Sequence, residues 1–259
     1  MSNNKNHVPN MVYPNFKNKH LKQALFNPHD LFINTPLARK NYKKLPEKYI
    51  FIYYPKVLNY FKRRYGARKI RLYRMTTVYK YRNIGVVQMT GIGSPHAATI
   101  MEELIALGGK EFLNVGSAGG LREFGTFLCE RAIRDEGTSY HYVPHGKYAY
   151  PDKGLTARLG DSLRKSKIPF EKTTSWTIDT PYRETKAEIR KYRKQGVATV
   201  EMESSALFIV AGVRKVKIAS AFAVTDVLGH DKWNPQFDAR HVNKRLYRLL
   251  DAAIRCLVK

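Results

Sequence analysis

Cysteines and acids are both scarce in this 259-residue chain, and each shortage excludes something. The two cysteines, Cys129 and Cys256, lie far apart with no metal-type spacing, which argues against a disulfide framework and a zinc module and fits a reducing compartment. No apolar run is long enough to span a bilayer, and the N-terminal MSNNKNHVPNMVYPNF has no apolar h-region, so the expected location is the cytoplasm, with no membrane partner. Acids number 21 against 46 Lys and Arg, a formal net charge of +25. A field of that sign attracts polyanions and anionic small molecules alike. What the chain does have is 43% hydrophobic and 12% aromatic residues, enough for a sizeable globular core.

The cations are densest in FKRRYGARKIRLYR (61–74), where tyrosines stand between them, and in RETKAEIRKYRKQ (183–195). Nucleic-acid surfaces and solvated helix faces share this pattern. No zinc-finger spacing, RNP-type aromatic pair or basic-leucine heptad accompanies it, so nucleic acid is not the expected partner.

Residues 1–46 are polar and broken by Pro9, Pro14, Pro28, Pro36 and Pro46, which reads as an irregular arm. From 47 to 259 the pattern is that of one domain. YIFIYY (49–54) is a buried strand ended by Pro55, and the helix that follows stops at Gly66. Strands are expected around 70–80 and 84–90, and then a helix with Pro95 in its first turn and Gly108-Gly109 at its end. KEFLNV enters a glycine loop. Beyond it the pattern predicts strands near 126–134 and 172–178, in VATVEM and in KIASAFAVTD, and helices near 154–166, 184–195, in SSALFIVAGVRK and at 238–257. This alternation predicts an α/β fold with a largely parallel sheet covered on both faces.

Ligands in such sheets sit at the carboxyl ends of strands. Four strand ends here carry polar or glycine-rich residues: TGIG, NVGSAGG, VEMES and AVTD. In NVGSAGG the glycines fall as G-x-x-G-G, not as the G-x-G-x-x-G of dinucleotide sites. That leaves either a tight turn or a cradle of bare backbone N–H groups with the Ser117 hydroxyl for an anion. VEMES (200–204) puts two carboxylates beside residues that should be buried. A buried carboxylate needs a partner, and the 2′,3′-diol of a ribose is one.

Taken together, TGIG followed by EELIALG, VGSAGGL, EMES opening a helix and VTD ending a core strand resemble the nucleoside phosphorylase family of uridine phosphorylase and the hexameric purine nucleoside phosphorylases. The resemblance covers about 85–230. It implies a three-layer α/β/α sandwich around a mixed, barrel-like sheet. It also implies phosphorolysis of a purine nucleoside or uridine to free base and ribose 1-phosphate, with inorganic phosphate as co-substrate and no cofactor or metal. Residue by residue, it places Gly91, Gly93 and Met202 at the nucleoside and Glu203 on the ribose hydroxyls. Ser117, with Gly116 and Gly119 shaping the loop, falls at the phosphate. Asp226 falls where purine-specific members have an acid facing N7. It suggests Arg183 for a pyrimidine carbonyl and His141 for the ribose 5′-hydroxyl, the latter often across a subunit interface. It further implies dimers, possibly assembled into hexamers, with shared active sites.

Two departures from the family bear on the anion. The usual G-D-P-x-R loop is replaced by YYPKV (53–57), and the usual arginine before V-G-S/T is Asn114. Lys56, Arg71 or Arg74 is then expected to hold phosphate, the last two from a neighbouring subunit. Phosphorolysis is the expected reaction because the positive field suits an anionic co-substrate. The alternatives are a nucleosidase that uses water and a silent relative that binds nucleic acid through its basic surface.

Overall fold

The structure is a computed structural model that describes residues 13–33, 45–72, 76–229 and 232–258. β1 (Lys48–Ile52) is buried on both faces because YIFI has no polar side. Tyr49 and Phe51 enter one helix-covered core, and Ile50 and Ile52 the other. β1 lies parallel between β4 (Ile84–Gln88) and β5 (Glu111–Gly120). The stretch expected as one strand over 70–80 divides into β2 (Arg68–Arg71) and β3 (Thr77–Tyr81), which add antiparallel beyond β4.

Helices cover both faces. α1 (Pro28–Ile33) is one short turn in the arm. On one side α2 (Pro55–Tyr65), α4 (Lys153–Lys165) and α7 (Arg240–Val258) bury Val57, Phe61, Leu159, Leu163, Leu246 and Leu250 against Ile50, Ile52 and Val115. On the other, α3 (Ser94–Ala106) and α6 (Ser204–Arg214) bury Met101, Leu104, Leu207 and Phe208 against Tyr49, Phe51 and Phe112. The punctuation follows the sequence. Pro residues open α2 and α3, Gly66 ends α2 at φ 60°, and Gly108 follows α3 at φ 96°. α5 (Lys186–Lys194) opens with a capping box between Thr185 and Glu188. Among the described residues no helix is long and apolar enough to cross a membrane.

The remaining strands are β6 (Thr126–Asp135), the two-residue β7 (Tyr148–Ala149), β8 (Glu171–Ile178), β9 (Val197–Glu201), β10 (Lys217–Gly229) and β11 (Lys232–Pro235). The order across the sheet is β11-β10-β6-β8-β9-β5-β1-β4-β3-β2, with β7 beside β6. β10 also pairs in parallel with β5, so β5, β9, β8, β6 and β10 close into a five-stranded barrel from which β1, β4, β3 and β2 extend as an open sheet. This is the three-layer arrangement with a mixed, barrel-like sheet.

The glycine-rich stretch is not a loop. Asn114 to Gly120 continues β5 and pairs with β10 from Ser220 to Val227. Its glycines serve close packing. A Cβ on Gly119 would lie 2.9 Å from both Leu228 and Val200, and one on Gly120 would lie 2.8 Å from Val224.

The connection that feeds this strand is equally tight. A Cβ on Gly109 would meet Phe112 at 2.6 Å and the Leu104 carbonyl oxygen at 2.8 Å. The backbone atom cannot swing aside. Gly109→Ala is therefore expected to lower unfolding free energy by about 1–3 kcal/mol in urea titrations. An unchanged midpoint would show that the α3–β5 connection has slack.

Candidate active site

The carboxyl ends of β1, β5, β9 and β10 converge on a cleft of about 640 Å³. Its walls include Tyr53, Ser117, Gly119, Met202, Glu203 and Asp226, with Tyr182, Glu184 and Trp233 around its mouth. Four carboxyl residues line it (Glu184, Glu201, Glu203 and Asp226), and among the described lining residues there is no Lys, Arg or His.

Glu201 organises the floor. As the last residue of β9 it is buried, and its carboxylate accepts from the Thr177 hydroxyl at 2.5 Å, the Ser175 hydroxyl at 3.3 Å, and the backbone N–H groups of Glu203 at 2.9 Å and Ser204 at 2.7 Å. Two of these donors belong to the start of α6, so the carboxylate cements the strand-to-helix turn. That turn aims Glu203 at the helix opposite. Its carboxylate accepts from Gly93 N–H at 2.6 Å and from Met202 N–H at 3.3 Å, while the Ser94 hydroxyl donates to the Met202 carbonyl at 2.8 Å. Burial raises both carboxyl pKa values. The four donors hold the charge on Glu201. Glu203 is pushed up to about 8, by burial first and by the Glu201 charge second.

At the other end of the cleft Asp226 lies in β10, where the pairing with β11 begins. Its two oxygens accept from the Trp233 indole N–H at 2.9 Å and the Thr225 hydroxyl at 3.2 Å. Burial raises its pKa against those donors. Glu184 shares this end and is pushed up to about 7, by burial and then by the charges of Asp226 and Glu188. Asp226 and Glu184 are thus carboxyls that hold a proton more readily than free ones.

Where the family has two phosphate-binding arginines, this chain has a neutral network. The Tyr53 hydroxyl donates to Asn114 Oδ1 at 2.8 Å, and Asn114 Nδ2 donates to the Ser204 hydroxyl at 3.3 Å, which in turn donates to Ser220 at 3.1 Å. The Tyr53 ring lies over Gly116, where a Cβ would come within 3.0 Å of it. Burial, with the charges of Glu203 and Glu201, raises the Tyr53 phenol well above its ordinary range, so it stays protonated and donates.

Ser117, Gly119, Met202, Glu203 and Asp226 meet in the cleft, and Gly93 contributes its N–H. Gly116 lies beneath Tyr53, and Gly91 N–H faces His96 Nε2 at 3.3 Å behind Ile92. The one cation expected from within the chain is elsewhere. Lys56 does not line the cleft, since its ammonium is held by the Phe237 carbonyl at 2.9 Å and Asp238 at 3.0 Å. Arg71, expected in a neighbouring subunit's site, ends the edge strand β2, and Arg74 lies outside the described residues. Arg183 is exposed in a short 3₁₀ turn, Pro181–Arg183, and its neighbours Tyr182 and Glu184 line the cleft instead. His141 does not line it either. Lys19 Nζ donates to its Nδ1 at 2.7 Å, and Nε2 faces the Tyr13 hydroxyl at 2.5 Å. Glu184 and Trp233 were not foreseen. The signal for Trp233 is the β10–β11 hairpin, whose pairing of Leu228 with Trp233 and Asp226 with Pro235 folds the indole back onto the acid.

A closed mixed sheet with buried acids at its strand ends defines a class, and comparison with known proteins identifies it. The sequence profile of the Phosphorylase superfamily matches residues 40–255, and the chain belongs to that family. It is 33% identical over 153 residues to a uridine phosphorylase of Treponema pallidum, a match covering 53% of this chain and 59% of that protein. It is 28% identical over 172 residues to a purine nucleoside phosphorylase of Plasmodium vivax, covering 63% and 69%. Among solved structures, an AMP nucleosidase of Bacteroides thetaiotaomicron superposes with a TM-score of 0.73 at 21% identity, covering 89% of this chain and 99% of that one. A purine nucleoside phosphorylase of Toxoplasma gondii in complex with immucillin-H gives 0.73 at 17% identity, covering 83% and 91%.

The Glu203 carboxyl makes stability depend on pH in a definite direction. Its folded-state pKa, about 8, lies above the ordinary 4.5, so the folded chain binds this proton more tightly than the unfolded chain does. The resulting stabilisation is complete below about 4.5 and lost as pH rises through about 8. Glu203→Gln carries no such loss. Its melting temperature relative to the parent is expected to climb by about 4 °C or more between pH 5 and pH 9. A difference that stays constant over that range would show that Glu203 is not a strained carboxyl.

Proposed function

We propose that the chain cleaves the N-glycosidic bond of a purine nucleoside with water as the acceptor. The observation that carries this is the electrostatic character of the cleft: four carboxyl residues and no cation among its described walls. A dianionic phosphate placed beside Glu203 would face like charge without a charge-assisted donor. The place of the arginines is taken by the neutral Tyr53–Asn114 pair, and the glycine-rich stretch is engaged in the β5–β10 ladder. The overall charge of +25, which argued for an anionic co-substrate, is not expressed inside the site.

In this reading the ribose lies over Met202, with its hydroxyls toward Glu203. As C1′–N9 breaks, positive charge grows on the ring, and Glu203 in its ionised form, the one that a pKa of about 8 makes available as pH rises, stabilises it. Water adds its oxygen to C1′ and gives its proton to Glu203, whose pKa near 8 suits a general base. Asp226, whose hold on a proton burial strengthens, is the acid placed to give a proton to N7 of the departing base. The products are free base and ribose. The Trp233 indole and the Thr225 hydroxyl hold the Asp226 carboxyl in place.

Phosphorolysis is the second reading, favoured by the Ser117 hydroxyl in the cleft and by the phosphorylases among the relatives. Incubation of adenosine, inosine, guanosine and uridine with and without phosphate separates the two. Hydrolysis predicts free ribose at a rate that phosphate leaves unchanged. Ribose 1-phosphate as the sole sugar product, formed only when phosphate is supplied, would replace this reading with phosphorolysis.

Asp226→Asn is expected to lower kcat/KM for the best purine nucleoside by about 10²-fold, because the amide has no proton of carboxyl acidity to give. Uridine, which lacks N7, should lose far less. Equal losses on both would reduce Asp226 to a scaffold for Trp233.

A further inference from the structure

The charge absent from the cleft is gathered on one face. α2 carries Lys56, Lys62, Arg63 and Arg64 and no acid. α7 holds five Lys and Arg against Asp251, and α4 holds four against Asp161. All three helices lie in the same layer. In the opposite layer α3 has no Lys or Arg and α6 only Arg214, which is spent on Glu102 at 2.8 Å. The two layers thus differ sharply in charge, while α5, with five Lys and Arg against Glu188, forms a separate basic stretch.

The face is also aromatic. A groove of about 570 Å³ is lined by Lys56, Asn59, Tyr60, Arg63, Arg64 and Tyr247. Tyr60 and Tyr247 stack across the α2–α7 seam at 4.4 Å and 9°. Arg64 sits over the Tyr60 ring at 5.9 Å, Lys62 over Tyr79 at 5.8 Å and Arg82 over Tyr81 at 5.3 Å. A second groove, which includes Tyr65, Tyr81, Arg82, Arg158, Lys165 and Arg255, borders the same helices. Asp251, beside the first groove, is held internally: the hydroxyls of Tyr60 and Tyr65 each donate to it at 2.8 Å, and Arg64 Nε lies 3.6 Å from it. Little negative charge is left on this surface to oppose an anion. Asp238 is tied to Lys56 and Asp161 to Arg164.

We propose that the α2–α7 face binds single-stranded polynucleotide, with Arg63, Arg64 and the α7 cations on the phosphates and the Tyr60–Tyr247 stack as a platform for bases. A charged rim tracking the backbone beside aromatic rings is the arrangement single strands require. A bilayer surface would draw on the cations alone. The site is separate from the cleft and shares none of its lining residues.

The test uses the full chain, a fluorescein-labelled 20-nucleotide oligo(U), the corresponding RNA duplex and phosphatidylserine vesicles. Anisotropy at 50 mM salt is expected to report saturable binding that weakens about tenfold or more at 200 mM. Arg63→Glu combined with Arg64→Glu should weaken oligo(U) about tenfold or more and leave nucleoside cleavage unchanged. Tyr247→Ala should weaken oligo(U) about fivefold or more, with no effect on vesicle binding. The absence of binding at 50 mM, indifference to the α2 charge reversal, or equal affinity for the duplex would each overturn the proposal. Tight vesicle capture together with a harmless Tyr247→Ala would assign the face to anionic membrane instead.

Discussion

Glu201 is a carboxylate buried inside the chain, and the rim of the barrel is arranged around satisfying it. Four donors from two places converge on it: two hydroxyls from β8 and two backbone N–H groups at the start of α6. An unpaired charge at that depth would cost several kcal/mol, so the strand, the turn and the helix have to sit where those donors reach. Once they do, Glu203 has one place to go, against Gly93 N–H at the start of α3. The second carboxylate is therefore positioned by the satisfaction of the first, and burial, with the Glu201 charge second, raises the pKa of Glu203.

The same economy explains the other wall. Ser204, whose N–H is held by Glu201, offers its hydroxyl to Ser220 and receives Asn114, which in turn receives Tyr53. The network is neutral and closed. It occupies the ground where an ionic anion site would need bare cations, and it leaves the cleft acidic while the chain as a whole is strongly basic. Cleft and surface thus carry opposite signs, with the cations of α2, α4 and α7 on one outer layer of the sandwich. A barrel sealed by the β5–β10 pairing keeps the acidic floor out of water, which strengthens each of its hydrogen bonds.

Much of the fold was legible because it follows from local rules. YIFI can only be a strand with two buried faces, Gly66 and the Gly108-Gly109 pair end helices where a left-handed or close-packed residue is needed, and α7 shows its apolar stripe at helical spacing. Glu203 was legible too, because an acid among apolar residues at a strand end demands a partner, while Met202 and Asp226 were legible through the family resemblance. NVGSAGG was misread as a loop. Its glycines mark close approach of Leu228, Val200 and Val224 across a barrel, and nothing local distinguishes that from a turn.

The sequence by itself determined where the helices start and stop, most of the core strands, and the acids of VEMES, since these depend on side-chain chemistry within a few residues. Only the tertiary structure decided what shares the cleft. It turned Lys56 to Asp238, set Arg183 outside and Glu184 within, and placed His141 against Tyr13 and Lys19. It also brought Trp233 back onto Asp226. A side chain at the end of a long stem goes where a partner is found. That partner lies far away in sequence for Lys56, as it does for His141, and only closure of the barrel and its hairpin brings such groups within reach.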